Sequence, residues 1–370
     1  MTPALVRSSA IDFASCGREN ADLAQHIEAR SSRVAATGKL LQGPETEALE
    51  AELATICHRK YAVCVGSGTD ALFFALLSLG IEPGDEVLVP DISFIATASA
   101  VLRTGAIPVF VDVDDSCNLD LDRAATLVSP KTKAVLYVQL FGGMGDVERL
   151  EQFGASHGLR IIEDAAQSFG ASYAGRPCGS VGHASALSFD PTKVLSALGS
   201  GGAVLTDDEN VAVRARRLRY HGRQDGAYVE LGYNSQLSEI SAAILRLKLG
   251  YQPEWTSRRQ AVAELYLDAF SGLPLTFPSW PVTVEHVWHK FTLQHQVRDQ
   301  LREHLRVRGI PTLIHYSHPF HRETLFGGRP DCEFPRASFH ADHSLSLPIH
   351  AYLSDEEIGA TIEAVVSYFK

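Results

Sequence analysis

Short apolar runs alternate with amphipathic stretches through the first two thirds of the chain. Tyr61–Val65 is apolar throughout, and Thr69–Leu79 then carries apolar residues at helical spacing. The same rhythm returns with a strand at Glu86–Pro90 and a helix at Phe94–Arg103. Further strands are predicted at Ile107–Val113, Ala134–Leu140, Arg160–Glu163, Ser185–Phe189 and Ala203–Thr206, with a helix at Val147–His157 among them. Apolar strands separated by helices predict an α/β fold, a mainly parallel sheet covered by helices on both faces.

Beyond residue 250 the rhythm changes. A helix is predicted at Ser257–Phe270, a strand at His289–Val297, and a helix at Gln300–Arg308 that Gly309 and Pro311 end. Ser354-Asp-Glu-Glu357 opens a closing helix that runs to Phe369. The chain therefore divides into a large domain over 41–250 and a smaller C-terminal α/β domain over 251–370. Residues 1–40 are expected to be partly helical and to pack on one or both domains.

Charge narrows the functions. Lys and Arg number 33 against 44 Asp and Glu, a net charge of −11, which disfavours nucleic acid or an anionic membrane surface as partner. The most apolar run, Ala71–Ile81, is far too short to span a bilayer. The opening residues hold no apolar stretch of signal-peptide length. Six cysteines without a Cys-x-x-Cys pair read as reduced thiols in a cytoplasm, with no zinc site.

Three motifs carry chemistry. Val65-Gly66-Ser67-Gly68-Thr69-Asp70 joins a strand to a helix, and free N–H groups at such a turn favour a phosphate, although an ordinary turn has the same look. Arg160-Ile-Ile-Glu-Asp-Ala-Ala-Gln167 ends an apolar strand in two acids, at the edge where open α/β sheets bind ligands. Asp164 there holds a ring nitrogen protonated or caps the next turn. Ser188-Phe-Asp-Pro-Thr-Lys193 precedes Gly199-Ser-Gly-Gly202 and makes Lys193 a candidate Schiff-base former, since burial frees an amine's lone pair. The alternative is a surface lysine.

With Gly232-Tyr-Asn-Ser-Gln-Leu-Ser-Glu239, these motifs resemble the fold-type I pyridoxal 5′-phosphate enzymes, and more narrowly the nucleotide-sugar aminotransferases. The likeness runs from Leu41-Gln-Gly-Pro-Glu45 to about His321. It implies that Lys193 binds the cofactor covalently and later moves protons. Asp164 would pair with the pyridinium nitrogen, Gln167 with the ring's phenolic oxygen, and Phe94 would stack on the ring. Gly68, Thr69 and Ser188 would hold the cofactor phosphate. Asn234 would reach the phosphate of a neighbouring subunit, implying a homodimer with shared active sites.

The resemblance also implies L-glutamate as amino donor and a nucleotide-linked ketosugar as acceptor, with His315 and Tyr316 at the sugar. Ile314-His-Tyr316 and Gly232-Tyr-Asn-Ser235 are closer to the 3-amination branch than to the 4-amination branch, so a dTDP-3-keto-6-deoxyhexose is the expected acceptor. Three positions depart from the family: Ser200, Asp190 and Gln236, the last where relatives acting on acidic sugars can present Arg. A pyridoxal sugar dehydratase would carry His in place of Lys193. A non-enzymatic cofactor-binding regulator would need a partner-binding module that the chain does not show. His315, His318 and His321 recur every third residue, but Pro319 interrupts them and no metal is expected.

Overall fold

Seven apolar runs pair into one sheet in a computed structural model that describes residues 11–370. The strands are β1 (Tyr61–Val65), β2 (Glu86–Pro90), β3 (Ile107–Val111), β4 (Thr132–Val138), β5 (Arg160–Asp164), β6 (Ala184–Ser188) and β7 (Gly202–Thr206). Their order across the sheet is β1-β7-β6-β5-β4-β2-β3. Only β7 runs against its neighbours, β1 and β6; every other pair is parallel.

Successive side chains on a strand point to opposite faces, so each apolar run feeds two cores. Ala62 and Cys64 of β1 join Leu49 and Leu53 of the helix Pro44–Ile56 on one face. Val63 and Val65 join Phe73 and Phe74 of the helix Gly68–Ser78 on the other. Phe73 and Phe74 are fully buried, each contributing roughly 1.5–3 kcal/mol of hydrophobic stabilisation.

A third apolar cluster lies in the C-terminal part. Strands β8 (Phe291–Gln294) and β9 (Ser344–Leu347) pair antiparallel and pack against the helices Gln252–Ala269, Arg298–Val307 and Asp355–Tyr368. The strand predicted at His289–Val297 is shorter: it covers Phe291–Gln294, because its partner strand begins only at Ser344, where the helix Pro335–His343 stops. In the N-terminal segment, helices Cys16–Asp22 and Ala24–Thr37 reach both parts. Arg18 forks onto Glu357 at 2.7 and 2.6 Å, while Glu19 faces Lys248 at 3.6 Å. No helix among the described residues is long and apolar enough to cross a membrane.

Register sets the place of chemistry. Asp164 ends β5 opposite Ala186, Ser188 ends β6 opposite Gly202, and Gly202 also pairs with Val65. The ends of β1, β5 and β6 thus meet at one carboxyl edge of the sheet, where such folds bind ligands.

Candidate active site

The glycine turn after β1 forms a closely packed cradle. Ser67 caps the helix Gly68–Ser78 by accepting the Asp70 N–H at 3.1 Å. Gly66 donates to Ser235 Oγ at 2.9 Å, and Ser235 Oγ donates to Asp70 Oδ2 at 2.7 Å. A Cβ at Gly68 would fall 2.6 Å from the Ser188 Cβ, so no side chain fits between this helix start and β6. The N–H groups of Gly68 and Thr69, which have no partner inside a helix, therefore stand beside the Ser188 hydroxyl. That donor set fits a phosphate.

Asp164 and Gln167 mark the second part of the site. Asp164 Oδ1 accepts the Ala166 N–H at 3.1 Å, and Thr97 Oγ1 donates to Oδ2 at 3.3 Å. Burial pushes the carboxyl above its usual range, opposed by the Ala166 N–H, the Lys193 amine and the Thr97 hydroxyl. Gln167 is held at both ends: its Oε1 accepts the Phe141 N–H at 3.1 Å and its Nε2 donates to Tyr316 Oη at 3.0 Å. Tyr316 in turn lies 6.4 Å, centroid to centroid, from the ring of Phe94, a phenylalanine that is 55% exposed.

Lys193 sits in a turn that Asp190 builds. Asp190 Oδ1 accepts the Thr192 N–H at 2.9 Å and hydroxyl at 2.7 Å, and its carbonyl accepts the Lys193 N–H at 2.9 Å. The departure at Asp190 thus has a local job. Burial lowers the Lys193 ammonium from its usual value, while Asp164 and Asp190 oppose the shift. A half-buried, partly desolvated amine near a buried carboxylate is equipped for imine chemistry, the amine as nucleophile and the acid as partner to a cationic ring.

The loop from Ile314 to Leu325 walls a pocket of about 390 Å³ beside Phe94, lined by Ile95, Ile314, Phe320 and Glu323 as well as Tyr316. His315 bonds Ser346 Oγ through Nδ1 at 2.9 Å, and its carbonyl meets His340 Nε2 at 3.0 Å. Burial drives His315 down to about 3, so its ring is neutral. The three histidines do not converge. His318 is exposed beside Ser317, and His321 is buried between Asp91 at 2.5 Å and Asp331 at 2.8 Å. Among the described residues no group of His, Cys, Asp and Glu is arranged to hold a metal ion.

Asn234 stands apart from Lys193 in its bonding. It is exposed, and its Oδ1 accepts from Gln236 Nε2 at 3.2 Å; Gln236 Oε1 accepts from Gln42. Several site residues escaped the sequence reading. Thr97 on Asp164, Ser235 on Asp70 and the buried Lys290 and Arg259 near Lys193 are examples. Asp70 and Ser235 lie inside quoted motifs, so their position was a usable signal. Nothing in local spacing marks Lys290.

Fold and site together define an α/β enzyme with a phosphate cradle, a buried acid and a half-buried amine at the carboxyl edge of its sheet. Residues 21–366 match the DegT/DnrJ/EryC1/StrS aminotransferase family, and the chain belongs to it. It is 43% identical over 349 residues to a dTDP-3-amino-3,4,6-trideoxy-alpha-D-glucose transaminase of Streptomyces venezuelae, covering 93% of this chain and 92% of the relative. The crystal structure of S. venezuelae DesV in complex with a ketimine intermediate superposes with a TM-score of 0.95 at 40% identity, covering 98% of this chain and 99% of that one. NtdA from Bacillus subtilis with bound cofactor PMP gives a TM-score of 0.91 at 28% identity, covering 99% and 86%.

Proposed function

We propose that this aminotransferase uses pyridoxal 5′-phosphate to move an amino group from L-glutamate to a nucleotide-linked 3-ketosugar, with a dTDP-3-keto-6-deoxyhexose as the best acceptor. The observation that carries the reading is the charge interaction of buried Asp164 with the half-buried Lys193 beside a cradle in which Gly68 leaves no room for a side chain. The trideoxyhexose transaminase relative supports the 3-amino product and the dTDP carrier.

When bound, pyridoxal 5′-phosphate supplies an aldehyde that condenses with amines and a ring that withdraws electrons from a carbon losing its proton. The chain's residues divide the remaining work. Lys193 Nζ is the amine that would hold the cofactor and, when free, would take the proton from the donor's α-carbon. Asp164 keeps a proton on the ring nitrogen. Gln167 Nε2, which here donates to Tyr316 Oη, would donate to the ring's phenolic oxygen. Phe94 covers the ring face, and Gly68, Thr69 and Ser188 hold the phosphate.

Asn234 is exposed, its side chain held only by Gln236, and in this reading it reaches the phosphate in a second copy, making a homodimer with shared sites. His315 and Tyr316 contact the sugar. The apolar wall of Ile95, Ile314 and Phe320 suits a sugar that has lost hydroxyls. The division at residues 40 and 250 stands as part of the proposal, supported by the separate apolar cluster of the C-terminal part. Free cysteines suit a cytoplasmic setting. A coupled assay over a panel of nucleotide ketosugars, with products identified by mass and NMR, tests the reading: a 3-amino sugar supports it, and a product lacking the amine refutes it.

A further inference from the structure

Four amino or guanidinium groups, three of them buried, gather around the base of the Lys193 turn, and three of the four have evident occupations. Lys193 is the reacting amine. Arg259 donates through Nη1 to the Ile349 carbonyl at 2.8 Å and the Trp288 carbonyl at 3.3 Å. Lys248 donates to Ser196 Oγ at 2.9 Å and faces Glu19 at 3.6 Å. The fourth, Lys290, is 8% exposed; its Nζ makes no hydrogen bond or ion pair among the described residues, although the nitrogen is not fully sealed from solvent. It lies over the face of Phe13, 5.2 Å from the ring centroid. A largely buried ammonium without a paired anion is costly, and such groups lose their proton or take up a counter-ion.

The position of Lys290 is fixed by the active site itself. Its N–H donates to the Phe141 carbonyl at 3.0 Å, and the Phe141 N–H donates to Gln167 Oε1. Its side chain shares with Lys193, Arg259, His289, Ser15 and Glu19 a small cavity of about 10 Å³, room for one water-sized atom. His289 Nδ1, fully buried, has no partner either. A carboxylate oxygen is about that size. We propose that the Lys290 ammonium is the anchor for a carboxylate of the amino donor, one oxygen of which enters this cavity while the donor amine lies at Lys193. This rests on the aminotransferase reading and adds to it a specificity-determining residue on the donor side.

Titration supports the assignment. Burial lowers Lys290 to about 7, helped by Lys193 and Arg259 and opposed by Asp190. The groups facing it are Lys193 and Asp190 from the lysine turn, Arg259 from the helix Gln252–Ala269, His289 beside it, His315 from the sugar loop and Glu19 from the first helix. Both histidines are held neutral by burial. A bound carboxylate favours the charged form of Lys290.

The test uses the holoenzyme and glutarate, a dicarboxylate without the reacting amine, titrated by calorimetry. It is accompanied by the L-glutamate half-reaction followed spectroscopically. Lys290→Met is expected to weaken glutarate binding and raise the KM for L-glutamate by about tenfold or more. The maximal rate of the half-reaction and the visible spectrum of the bound cofactor stay near wild type. Lys290→Arg restores part of the affinity. Wild-type glutarate affinity falls as pH rises above about 7, because binding then requires proton uptake, and that slope vanishes in Lys290→Met. Should the methionine variant fold poorly, Lys290→Gln serves in the same measurements. Glutarate affinity within twofold of wild type in the neutral variant overturns the proposal, whereas a wild-type protein that accepts nitrogen from no amino acid overturns the aminotransferase reading instead.

Discussion

Asp164→Asn separates chemistry from folding. The carboxylate accepts the Ala166 N–H at 3.1 Å and the Thr97 hydroxyl at 3.3 Å. An amide keeps an oxygen for Ala166 and offers an N–H to Thr97 Oγ1, whose own hydrogen then turns to Ser93 Oγ 2.9 Å away. The turn stays satisfied, so folding stability should change by no more than about 1 kcal/mol. In the proposed reading, what disappears is a negative charge opposite a ring nitrogen. A unit pair about 4 Å apart at an effective dielectric of about 20 interacts by about 4 kcal/mol, equivalent to roughly 10³ in rate. The expected fall in the half-reaction with L-glutamate is therefore about 10²- to 10³-fold, in line with losing one preorganised electrostatic partner. The variant should also shift the pH–rate profile to lower pH, because Asp164 raises the Lys193 pKa and its removal lets that pKa fall further. Rapid mixing of holoenzyme with L-glutamate measures the rate, and thermal unfolding checks the fold. A folded variant within tenfold of wild type would refute the argument and leave Asp164 as a turn acceptor.

Gly68→Ala places a methyl 2.6 Å from the Ser188 Cβ and should weaken cofactor affinity by about tenfold or more, read by titrating apoprotein with pyridoxal 5′-phosphate. An inactive Asn234→Ala protein mixed with an inactive Lys193→Ala protein should regain activity through heterodimers, and persistent inactivity after verified subunit exchange counts against shared sites. Among acceptors, a neutral 3-keto-6-deoxy sugar should exceed a 3-keto uronic acid by about ten- to a hundredfold in kcat/KM, since Gln236 pairs with Gln42 and offers no cation to a carboxylate. Comparable kcat/KM for the two sugars would remove Gln236 from the specificity argument.

The large sheet was legible because its strands are apolar on both faces. Runs such as Tyr61–Val65 and Glu86–Pro90 occur at the predicted residues. The reversed direction of β7 was not legible, since Gly202–Thr206 is as apolar as its parallel neighbours and direction depends on the path of the chain. The helix Glu209–Arg219 was missed because four arginines hide its stripe of Val211, Ala212, Ala215 and Leu218. Strand β9, Ser344-Leu-Ser-Leu347, is short and half polar, and its burial depends on pairing with β8.

The site divides in the same way. Gly68, Asp164, Ser188 and Lys193 sit in turns with local signatures, so sequence alone singled them out. Thr97 and Lys290 matter through partners distant in sequence: Thr97 meets Asp164 across 67 positions, and Lys290 lies against Phe13. Neither has a periodicity or spacing that announces it. The loop that carries His315 and His321 invited a shared role by spacing, but the chain turns there. His315 then bonds Ser346 and His321 bonds Asp91.

The central claim is tested most directly by incubating purified holoenzyme with L-glutamate and a dTDP-3-keto-6-deoxyhexose, then quantifying both products by mass spectrometry. The account predicts 2-oxoglutarate and a dTDP-3-amino sugar in equal amounts, with neither formed by Lys193→Ala. Amino sugar formed by Lys193→Ala, or a sugar product that has lost a hydroxyl without gaining nitrogen, would contradict it.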